Sequence, residues 1–81
     1  MTTEQWLNQY EQTRHKFEWF IYEYFPEYLE PLRKALNNQM PFLMLSMLND
    51  IWFWLPDNKF NVVENPSGWQ EFLALLEDPP E

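Results

Sequence analysis

The sequence predicts a mainly α-helical fold, a small bundle of three to four helices with one irregular or short β-hairpin segment near 55–66. Two stretches, 3–25 and 68–77, repeat apolar residues at steps of three and four, the signature of a helix with one buried face. Prolines at 26, 31, 41, 56 and 66 cut the chain into short elements. Hydrophobic residues make up 46% and aromatics 20% of the 81 residues, enough apolar surface for one core. No linker or internal repeat divides the chain, so 1–81 is read as a single helical domain with a frayed acidic tail at 78–81.

The first helix is expected over 3–25. Thr2 and Gln5 have capping-box spacing. Trp6, Tyr10, Thr13, Phe17, Phe20 and Tyr24 then fall on one stripe, widened by Leu7, Ile21 and Phe25. Pro26 disfavours helical geometry in the residue before it and ends the run.

A second helix is expected within 27–38, where Leu29, Leu32 and Leu36 share a face. Pro31 can sit at a first helical position and split off one turn. Asn37 and Asn38 are the expected terminators. The third helix starts at Pro41. Phe42, Leu43, Met44, Leu45, Met47 and Leu48 surround its axis, so it is central or covered by a partner.

Its end has two readings. Leu45, Leu48, Trp52 and Leu55 keep helical spacing to Pro56. Alternatively, the helix stops at Asn49-Asp50, and Ile51–Leu55 forms a strand returned by Phe60–Val63. The fourth helix, about 68–77, carries Trp69, Phe72, Leu73 and Leu76 on one stripe, and Ser67 with Gln70 repeats the capping-box pattern. Acidic residues at its end oppose the macrodipole, hence the expected fraying.

Charge narrows the partners. Thirteen acids against five bases give a net charge of −8. Arg14, Lys16, Arg33, Lys34 and Lys59 are too few and scattered to form the phosphate-neutralising patch of a nucleic-acid binder, so no direct nucleic-acid contact is expected. No apolar run approaches the about 20 residues of a membrane span. The opening residues lack the basic-then-apolar order of an export signal, and a cytoplasmic location is expected.

Chemistry is sparse. With no cysteine and one glycine, the chain has neither a thiolate metal site nor a glycine-rich phosphate loop. His15, the single histidine, is placed on the solvent side of the first helix, four residues after Glu11. Asp57, Asn58, Asn61 and Glu64 lack the spacing and glycine of a calcium loop. No pair among the acids is singled out for acid–base work. The expectation is a protein with no catalytic residue, metal or cofactor.

Interaction surfaces are better supported. His15, Trp19 and Tyr22 can touch at helical spacing, ringed by Glu11, Glu18 and Glu23. The run Phe42–Trp54 supplies a second candidate surface through Phe42, Met44, Met47, Trp52 and Trp54, and one patch shared by two copies would cover it. The leading reading is a non-catalytic interaction or regulatory protein, a homodimer with a protein partner. The alternative is an acidic inhibitor that mimics nucleic acid on a basic site of its partner, with Glu4, Glu11 and Glu18 every seven residues as the phosphate-like row. A third reading is an enzyme or ligand pocket on Trp52, Trp54 and Trp69.

Overall fold

Thr2 starts the first helix as the sequence predicts. Its Oγ1 accepts from the Gln5 amide at 3.1 Å, and the Gln5 Oε1 accepts from the Thr2 amide at 3.0 Å. Two of the four amides that open a helix without partners are thereby satisfied. The computed structural model describes residues 1–54 and 68–81. Helix α1 spans Thr3–Tyr24, a 3₁₀ turn covers Pro26–Tyr28, α2 spans Leu29–Asn37, α3 spans Pro41–Trp54 and α4 spans Trp69–Glu77. Among the described residues there is no strand.

Pro31 does not split α2. It lies in the first turn, where a backbone amide has no intrahelical acceptor to lose. Helix α2 ends at Asn37 with Asn38 as its C-cap, as the sequence predicts. Gln39 takes the left-handed conformation at φ 54°, its amide donates to Leu36 O, and the Met40 amide reaches back to Ala35 O at 2.9 Å. These bonds close a Schellman turn, and they reverse the chain directly into Pro41, the first residue of α3.

The strand reading of Ile51–Leu55 is overturned as far as it is described. Residues 51–54 continue α3, with Ile51 buried in the core and Trp52 half-buried against it. The 55–66 segment, where the irregular or hairpin element is expected, and Ser67 lie outside the described residues. The N-cap position of α4 belongs to Gly68, not Ser67, with φ 86° and no side-chain cap.

Gly68 explains how α4 docks. A Cβ built there would lie 1.9 Å from the Lys16 carbonyl oxygen and 2.7 Å from the Phe17 nitrogen. The start of α4 therefore rests on the backbone of α1, closer than any side chain allows. Lys16 Nζ adds a tie to Glu71 at 3.4 Å across the same seam.

The core lies between α1 and the other helices. Trp6, Tyr10, Phe17, Phe20 and Ile21 meet Leu32 and Ala35 from α2, Met44, Leu48 and Ile51 from α3, and Trp69, Phe72 and Leu75 from α4. Aromatic rings run through it in edge-to-face and tilted pairs. Phe20 lies 5.1 Å from Phe72 and 5.7 Å from Trp69, and Trp69 in turn lies 5.2 Å from Trp52. Trp6 Nε1 donates to Leu75 O at 3.0 Å, satisfying a carbonyl in the last turn of α4. Residues 78–81, expected to fray, lie against the start of the chain. Pro80 is buried, and the Glu81 amide donates to Met1 O at 2.9 Å.

The Tyr10 hydroxyl is buried without a hydrogen-bond partner among the described residues. Burial, and then the Glu18 carboxylate, push its phenol well above the ordinary tyrosine range, while Arg14 and Arg33 oppose the shift. The folded chain thus keeps a proton that the unfolded chain releases near pH 10. The stability tied to this proton is complete below about pH 10 and is lost above it, by up to about 1.4 kcal/mol per pH unit. Tyr10→Phe deletes an unpaired polar group and leaves the ring in place. It is expected to match or exceed the wild type by about 1 kcal/mol at neutral pH and to flatten the alkaline loss. Urea midpoints between pH 8 and 11 test both.

Candidate functional site

Helix α3 turns two chemically distinct faces to its surroundings. Met44, Met47, Leu48 and Ile51 point inward. Phe42, Leu43, Phe53 and Trp54 point outward, exposed by 57%, 46%, 75% and 65%. Between them the outward face carries Ser46, Asn49 and Asp50, all exposed. The apolar surface is therefore divided into two patches at the helix ends, about 16 Å apart at 1.5 Å per residue. Phe53 and Trp54 steady each other edge-to-face at 5.2 Å.

Met44 and Met47, expected on this surface, are core residues and must be removed from it. Met44 is fully buried and Met47 nearly so. The polar residues of α3 decide the matter, because Ser46, Asn49 and Asp50 cannot enter an apolar core without partners. Trp52 is half-buried on Trp69, whereas Trp54 faces solvent. The three tryptophans considered for a ligand pocket therefore do not converge. Phe53, the most exposed of the large apolar side chains described, was not singled out by the sequence reading. Its step of eleven from Phe42, three helical turns, carried the signal.

His15, Trp19 and Tyr22 lie on the outer side of α1. His15 is exposed and Tyr22 is 68% exposed. Trp19 is 39% exposed, with its ring edge-on to Phe20 at 5.5 Å, so it belongs partly to the packed layer. The ion pair formed by Glu11 is with Arg14, at 3.5 Å. Glu4 and Glu11 are exposed, but Glu18 is partly covered and its Oε2 is buried without a partner among the described residues. The three acids are thus unequal, and the row that a phosphate mimic requires is interrupted at Glu18.

A groove of about 990 Å³ opens where the first turns of α1 meet the corner between α2 and α3. Leu7, Leu36, Pro41 and Phe42 supply its apolar surface, and Glu4 and Glu11 stand among its lining residues. Sequence spacing gives no sign of this groove, because its walls come from segments some thirty residues apart. Among the described residues, no group of three or more histidines, cysteines or acids could hold a metal ion. No described helix is long and apolar enough to cross a membrane.

Compared with known proteins, the chain matches no family model, no curated protein and no solved structure.

Proposed function

We propose that this protein is a non-catalytic interaction module that works as a homodimer through the outward face of α3. The observation that supports it is the layout of that face, with apolar pairs at both ends and polar side chains between. Two copies related by a twofold axis and running antiparallel would set Phe42 and Leu43 of one against Phe53 and Trp54 of the other. Ser46 would then lie near Asp50 of the second copy, a donor beside an acceptor. A self-complementary patch of this kind covers the exposed apolar area of both copies with one contact. Each copy carries a net charge of −8, so the dimer works against repulsion and tightens as salt is added.

Sedimentation and light scattering at tens of micromolar are expected to show a dimer that strengthens with salt. Phe53→Asp is expected to give a folded monomer with unchanged helicity. Since the chain has no cysteine, a single Ser46→Cys substitution tests orientation. It lies near the twofold axis and crosslinks, whereas Phe42→Cys is far from its own copy in an antiparallel pair. A wild-type monomer across the salt range, or a Phe53→Asp variant that still dimerises, would overturn the reading.

A further inference from the structure

We infer that the groove at the start of α1 binds a basic segment of another protein, one apolar side chain flanked by arginine or lysine. Three features of the groove define this occupant. Leu7 and Leu36 are half-buried and Phe42 is exposed, giving an apolar surface that one aliphatic or aromatic side chain can cover. Glu4 and Glu11 stand along the α1 wall, seven residues and about 10 Å apart, and among the described residues no cation lines the groove. Asn8, Asn37 and Gln39 add amide donors and acceptors suited to a peptide backbone.

Charge selects among occupants. An acidic or phosphorylated segment would meet two carboxylates and a chain of net charge −8, whereas a basic one is steered toward them. Arg14 contacts one oxygen of Glu11, its Oε1. That exposed pair is worth at most about 1 kcal/mol, so an incoming guanidinium can share or replace it. Apolar burial holds the anchor, and the carboxylates set which neighbours it has. The site is separate from the dimer face, with Phe42 the one residue common to both.

The test uses a synthetic nonapeptide with leucine at its centre and two arginines on each side. Two controls carry glutamates in place of the arginines, or glycine in place of the leucine. Amide chemical shifts are expected to move at Leu7, Asn8, Glu11 and Asn37, and affinity is expected to fall as salt rises. The glycine control and the Leu7→Ala variant are each expected to bind at least about tenfold more weakly, the factor that accompanies loss of a buried leucine. Glu4→Gln with Glu11→Gln, which keeps the shape, is expected to remove most of the salt dependence. Equal binding of the glutamate peptide, shifts confined to Phe53 and Trp54, or concentration-dependent shifts at Leu7, Asn8 and Glu11 without peptide would overturn the proposal. Because self-association tightens with salt and peptide binding weakens, failure of one reading is distinguishable from failure of the other.

Discussion

Gly68→Ala is expected to cost about 2–5 kcal/mol. Two penalties combine. A residue with a Cβ held at positive φ costs about 1–2 kcal/mol. Forcing a methyl group into a packed contact costs about 1–3 kcal/mol more, and here the opposing atom is the Lys16 carbonyl oxygen, 1.9 Å away. Backbone cannot swing aside as a flexible side chain would, so α4 must lift from α1 and loosen Phe72 and Trp69 with it. For a chain of this length total stability is roughly 4–12 kcal/mol, so the variant loses a large share of it. Gly68→Asn separates the two penalties. Asparagine tolerates positive φ but still carries a Cβ. If close approach dominates, it is no better than alanine. Urea unfolding at one fixed protein concentration is the measurement, since self-association would shift the midpoint by mass action. A loss below about 1 kcal/mol would mean that α4 does not rest on α1 as described.

Gly68 also marks a limit of what spacing can reveal. The Thr2–Gln5 box, the Trp6-to-Ile21 stripe and the start of α3 at Pro41 were legible because each depends on residues within a few positions of one another. The docking of Gly68 on Lys16 depends on a backbone 52 residues away in sequence, which no local pattern reports. Ser67 looked the better cap because serine is a common one, while the observed N-cap position serves contact and turn geometry. Helix α3 failed differently. Its apolar residues surround the axis, so hydrophobic periodicity gives no direction and does not separate Met44 and Met47 from Phe42 and Trp54. The three polar residues did carry direction. Ser46, Asn49 and Asp50 fix the outward side, and Phe53 follows from them. The groove was invisible for the same reason as the Gly68 contact, since Leu36 reaches the side of Leu7 only after the turn at Pro26–Tyr28, and Phe42 joins them only after the Schellman turn at Gln39.

Trp6→Ala is expected to lose about 3–5 kcal/mol, the range for truncating a fully buried large aromatic. Trp6 is fully buried, stacks on Tyr10 at 6.0 Å, and its indole nitrogen donates to Leu75 O. It therefore joins the first turns of α1 to the last turn of α4, the end opposite the Gly68 contact. Trp6→Phe retains much of the ring packing but removes the donor. Its expected cost includes about 1–3 kcal/mol for leaving a buried carbonyl unpaired, so it should fall between wild type and alanine. The contrast with α3 gives the result its functional content. Phe53→Ala removes a ring of similar chemistry from a site 75% exposed, where changes usually stay within about 0.5 kcal/mol. Unfolding of the Phe53→Ala variant is compared with wild type at concentrations low enough to keep both monomeric. A large loss at Trp6 and almost none at Phe53 would mean that Phe53 is dispensable for the fold, as a residue of the dimer face must be. Comparable losses at both positions would place Phe53 in the folding core and remove the physical basis for a dimer face on α3.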